Sequence, residues 1–199
     1  MNPMLASVGA VAASLLYWTI AADAAGRRRM TIGTLPPLLP ALVAATAFAA
    51  TSADLPVTAV AASAGAAVAG VVDARTGSIF DPLTGAMLIA AAALALIEGS
   101  LINGLYGAAA VGGGLFLLHA LSSGHGLGLG DVKLGTALGM ALGVSSGLTA
   151  IALAFVFGGT YGTWLLATKR ARLGSSIRFG PFIAAGTFAA LLAPPGFRP

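Results

Sequence analysis

Apolar runs follow one another along this chain from about residue 4 to about residue 195, with only short polar breaks between them. A bilayer-crossing helix needs about 20 mostly apolar residues, and shorter ones occur inside bundles. Eight runs read as spans, at about 4–22, 35–50, 56–72, 83–98, 103–121, 132–144, 147–167 and 180–195. The sixth is short, and only Val144-Ser145-Ser146-Gly147 divides it from the seventh, so the pair also reads as one broken helix. The pattern predicts an all-α polytopic membrane helix bundle forming a single integral membrane domain over residues 1–199. Composition agrees: 8% of residues are charged, against about 25% in a soluble domain, too few to cover a water-facing surface.

The basic residues set the expected orientation. With the N-terminus outside, Arg27, Arg28, Arg29, Arg75, Lys133, Lys169, Arg170, Arg172 and Arg178 all fall inside, and only Arg198 falls outside. This asymmetry follows the positive-inside rule, so the net charge of +4 reports topology, and no nucleic acid partner is expected. The first run has no Lys or Arg before it and an Arg triplet after it, which is the wrong order for a cleaved secretory signal. An uncleaved first span is expected. The absence of cysteine excludes thiol catalysis, disulfides and Cys-based zinc sites. With only two His, a metal site is not expected either, and no cofactor is implied.

Small residues mark packing faces. Gly135, Gly139 and Gly143 are spaced by four along the sixth run, and Ala108/Gly112, Ala109/Gly113 and Ala110/Gly114 repeat that spacing in the fifth. Such faces let helices approach closely in lipid and carry no chemistry of their own.

The chemistry rests on two carboxylates. Asp131 stands in Gly128-Leu129-Gly130-Asp131-Val132-Lys133-Leu134, at the start of one apolar run, and Asp73 ends another in Val71-Val72-Asp73-Ala74-Arg75-Thr76-Gly77. An ionisable group at a membrane boundary is costly and marks function. The expected topology brings both to the inner face. Hydrolysis by carboxylates needs one ionised group to activate water and one protonated group to donate to the carbonyl oxygen. Like charges a few Å apart cannot both ionise, so such a pair shares one proton and titrates as a unit. Gly126, Gly128 and Gly130 read as a flexible or unusual backbone that admits an extended substrate strand to Asp131.

These motifs resemble those of the type IV prepilin peptidases, polytopic aspartic proteases of the Gly-Xaa-Gly-Asp class. Residues 128–134, continuing to Gly135 and Leu138-Gly139, resemble the second catalytic motif, and Asp73 to Ile79, running on to Asp81 and Leu83-Thr84, resembles the first. Ile177-Arg178-Phe179-Gly180-Pro181-Phe182 resembles a third signature. The three matches lie in the family's order within 73–182, while residues 1–55 match only as additional spans. The first motif departs from the family at Phe80, where Pro is usual.

The resemblance implies Asp73 and Asp131 as the catalytic pair, with no metal or cofactor. It implies cleavage of a basic leader from a prepilin or pseudopilin, just before the substrate's apolar helix, at the cytoplasmic face of a prokaryotic plasma membrane. Gly128, Gly130, Lys133, Phe179, Gly180 and Pro181 are candidates for lining the site or holding substrate. Many members also methylate the new N-terminus, using a cytoplasmic domain with paired Cys-Xaa-Xaa-Cys motifs. This chain has no cysteine and only a short loop around Arg27–Thr34, so that activity is not expected and a short form is.

Other readings attach to single residues. Asp81 before Pro82 reads as the N-cap of the fourth span, and an N-cap is also an alternative for Asp131. Lys133 either steadies Asp131, contacts substrate, or serves as an inner-face anchor. Arg75 reads as an orientation charge, His125 as a solvated loop residue, and His119 and Glu98 as interfacial ends of spans. Tyr17, Trp18 and Trp164 read as interface or packing aromatics. A proton-coupled transporter is the rival for a carboxylate pair, but its site would lie nearer the midplane. A non-enzymatic pilus or secretion scaffold is a second rival. A presenilin-type protease is a third, although Asp73 beside Arg75, Thr76 and Gly77 fits the prepilin enzymes better.

Overall fold

The computed structural model describes residues 3–27, 56–124, 126–172 and 174–193. The expected span at 35–50, the Arg28 and Arg29 charges, His125 and Arg198 lie outside these residues. The described residues form six α-helices and no strand: α1 (Pro3–Arg27), α2 (Val57–Thr76), α3 (Asp81–Ile97), α4 (Leu101–Leu121), α5 (Leu129–Ala167) and α6 (Gly180–Leu192). Among them α2, α4 and α5 are long and apolar enough to cross a bilayer, while α3 and α6 are shorter apolar helices. The protein is therefore a helical membrane protein.

The centre of the bundle is α2. Its Ala- and Gly-rich sequence presents small residues on every side, and Thr58 through Ala69 are buried almost without interruption. Helices α1, α3, α5 and α6 all pack on it. Small side chains permit this crowding because backbones can come close on all faces. Pro56 at the start of α2 offers no side-chain cap. Glu98, at the end of α3, supplies one by accepting the Thr58 N–H at 3.2 Å and the Thr58 hydroxyl at 2.7 Å. A carboxylate there also complements the positive end of the helix dipole.

The sixth and seventh expected spans fall within α5, which is broken at Gly143. Gly143 has φ 75° and ψ −175°, a conformation that side chains other than glycine's resist. In a straight helix residues eight apart are separated by about 12 Å along the axis. Here a Cβ on Gly147 would lie 3.3 Å from the Cα of Gly139, so the chain doubles back at the break. The Asn103 carboxamide oxygen of α4 accepts the Val144 N–H at 3.5 Å, which helps to cap the returning segment.

The glycine faces divide into used and unused positions. Gly139 meets the backbone of Gly107, and a Cβ on Gly135 would lie 3.3 Å from Val111 Cγ1, so this seam joins α4 to α5 as expected. Gly143 is both the break and a third contact on this seam, since a Cβ on Gly107 would lie 2.6 Å from its carbonyl carbon. Gly112 faces Thr136, but Gly113 and Gly114 have open space around them. Two of the three expected pairs on α4 thus make no close helix contact, because the helix presents only one side to α5.

Candidate active site

Asp73 lies one turn before the end of α2, and its position follows from how that helix stops. Gly77 adopts the left-handed conformation (φ 66°, ψ 23°), and its N–H donates to the Asp73 carbonyl at 2.8 Å. This is the usual role of glycine at a helix C-terminus. The Thr76 hydroxyl donates to the Val72 carbonyl at 2.9 Å and accepts the Ser78 N–H at 3.2 Å, fixing the exit of the chain. The Arg178 guanidinium donates to the Ala74 carbonyl in the same last turn, where a cation is favoured.

Asp73 as a residue is only 6% exposed, and its carboxylate accepts the Gly180 N–H at 2.9 Å through Oδ2. That N–H belongs to the first turn of α6, a position with free donors and positive dipole. Gly180 must be glycine here for lack of space: an added Cβ would lie 2.7 Å from the Asp73 Cβ. Phe179 precedes it and lines the same hollow as both aspartates.

Asp131 is the third residue of α5, not its N-cap. The N-cap is Gly128, whose N–H donates to Asp131 Oδ2 at 3.3 Å, so the carboxylate reaches back over the helix start. Sequence reading expected unusual backbone at Gly126, Gly128 and Gly130. None of the three has positive φ, and Gly128 is ordinary extended backbone (φ −74°, ψ 149°). Close approach explains two of them instead. A Cβ on Gly130 would sit 3.1 Å from the Ile79 Cβ, and one on Gly128 would sit 3.2 Å from Asp131 Oδ2. Gly130 therefore lets the start of α5 rest on the loop that follows Asp73.

The result is one site built from three chain segments. Asp73, Asp131, Gly128 and Phe179 line a hollow of about 350 Å³. On the other side Asp73, Asp131, Gly128 and Gly130 line a second of about 210 Å³. The two aspartates form part of the wall common to both, one buried and one half-buried. Such an arrangement sets two carboxylates on the walls of hollows large enough for water and a stretch of peptide. Among the described residues no group of three or more His, Cys, Asp or Glu is arranged to hold a metal ion.

Other candidates are placed differently. Lys133 pairs with Asp81 at 2.7 Å, in an exposed bridge between α3 and α5. Asp81 is the first helical residue of α3, and Phe80, fully buried, takes the N-cap position without a side-chain bond. Asp81 also lines the smaller hollow. Pro181 faces a neighbouring groove rather than the aspartates. Two residues gain roles that composition did not assign. Arg178, counted as an orientation charge, closes α2 beside Asp73 and lines the larger hollow. His119, expected at an interface, bonds through Nδ1 to the Leu127 carbonyl at 2.6 Å and pins the loop ahead of Gly128. An Arg next to a Phe-Gly-Pro helix start was the only available signal for the first. The second had none.

A profile of the type IV leader peptidase family matches residues 60–163, a little over half of the chain, and both aspartates lie within the match. The chain belongs to the type IV leader peptidase family. For this leader peptidase family member, a prepilin-type peptidase activity in general follows from that membership. The match ends before Phe179, Gly180 and Pro181, so their place at the site rests on the geometry given above. No curated protein and no solved structure matches the chain.

Proposed function

We propose that this family member is an aspartic endopeptidase in which Asp73 and Asp131 act as one catalytic pair. The observation that carries the reading is that two carboxylates from different helices line the same two hollows. One carboxylate, ionised, activates water, and the other, protonated, donates to the scissile carbonyl oxygen. The pair shares the proton, so neither residue holds a fixed role. Gly128, Gly130, Phe179 and Gly180 shape the site, while Lys133 acts as an anchor paired with Asp81. The substrate is the leader of a prepilin or pseudopilin, cut before its apolar helix at the cytoplasmic face of the plasma membrane.

The same reading takes the whole chain as one membrane domain of eight crossings with the N-terminus outside, the break at Gly143 separating two of them. The clustering of Lys169, Arg170, Arg172 and Arg178 between α5 and α6, at the end where Asp73 lies, supports placing the site inside. No methyltransferase activity is expected. The test is co-expression with a prepilin and mass analysis of its N-terminus. Asp73→Asn and Asp131→Asn should each abolish leader removal while the protein still inserts. Full cleavage by either variant rules out the pair.

A further inference from the structure

Between α5 and α6 the chain runs through Ser176, Ile177 and Arg178, an irregular exposed segment that ends at the start of α6. No backbone N–H or C=O of these three residues has a hydrogen-bond partner among the described residues. A row of unpaired backbone groups is a template for another chain. The segment is also the common wall of two hollows. On one side lies the larger aspartate hollow, and on the other an apolar groove of about 450 Å³. The groove is completed by Ala74, Tyr161, Leu165, Pro181 and Phe182, with the Tyr161 and Phe182 rings 5.5 Å apart.

We propose that Ser176–Arg178 is the strand against which the substrate peptide is laid, with alternate side chains entering the aromatic groove and the intervening backbone facing Asp73 and Asp131. This rests on the peptidase reading. In an extended peptide successive side chains point to opposite faces, and strand addition draws affinity from main-chain bonds and specificity from pockets for alternate side chains. The free donors and acceptors favour a peptide over a lipid chain, which could use the groove but not the backbone. Tyr161 and Phe182 are the rings that receive the alternate side chains, and they favour a bulky apolar one.

The chain has no cysteine, so one introduced thiol reports alone. The experiment uses the full chain in vesicles, as Asp73→Asn with Tyr161→Cys, so that substrate persists. The probes are synthetic peptides with a basic leader, a glycine and an apolar segment, each with one cysteine walked across the bond cut. Disulfide capture should alternate, about fivefold stronger at every second position, as strand pairing dictates. Equal capture at all positions, or capture as strong by Phe116→Cys on the exposed face of α4, overturns the proposal. In the otherwise native chain, Tyr161→Ala should raise KM about tenfold for a peptide with a bulky apolar residue there and leave kcat unchanged. An unchanged KM also overturns it. Flat capture by the thiol-bearing variant, with the native chain cutting the peptides, sinks the strand alone. Alternating capture by that variant, with the native chain cutting none of them, sinks the peptidase reading and upholds the strand.

Discussion

Gly180 and Asp73 are held together twice, by a 2.9 Å hydrogen bond from the Gly180 N–H and by a fit too tight for a Cβ. The helix start of α6 is thereby pressed onto one member of the proposed pair. Gly180→Ala should push the Asp73 carboxylate off its position. A displacement of about 1 Å at a reacting group can lower turnover about 100-fold. Leader cleavage by purified protein, beside thermal unfolding in detergent, checks this. Normal turnover in a folded variant contradicts the placement.

If the proposed pair shares one proton, the pH dependence of cleavage follows from it. At low pH both carboxylates are protonated and no base remains, while at high pH both are ionised and no acid remains. The rate of leader cleavage should therefore be bell-shaped, with both limbs belonging to the pair rather than to single residues. A rate that only rises with pH would mean that a single ionised group suffices.

The Lys133–Asp81 bridge is exposed on both sides. Exposed ion pairs contribute about 0–1 kcal/mol. Lys133→Met should thus cost less than about 1 kcal/mol of stability. Its effect on cleavage should be small beside that of either aspartate variant. Denaturation in detergent and a cleavage assay measure the two. Loss of cleavage as complete as in Asp131→Asn would mean that Lys133 acts on Asp131 or on substrate rather than as an anchor.

The break at Gly143 combines a left-handed φ with contact to Asn103. A side chain costs about 1–3 kcal/mol in that conformation before any clash. Gly143→Ala should lower the unfolding midpoint, and shortening Asn103 to Ala should recover only the steric part. A variant as stable as the native chain would mean that the reversal does not depend on glycine.

Much of this protein was legible residue by residue. Hydropathy marked the helices because burial in lipid demands long apolar runs, and it placed α2, α3 and α4 within a few residues of where they lie. Asp73 and Asp131 stood out because a carboxylate at the end of such a run is costly.

Tertiary structure decided the rest, because close approach between distant segments leaves no local pattern. Gly128 and Gly130 looked like flexible hinges and prove to be points of contact, with Asp131 and with Ile79. Asp81 looked like a cap and proves to be the partner of Lys133, a residue 52 positions away. Arg178 and His119 carry no motif that announces their carbonyl partners, Ala74 and Leu127. Hydrophobicity and helix chemistry are properties of neighbours in the chain. Which carbonyl lacks a donor, and which backbone has no room for a methyl group, are properties of neighbours in space.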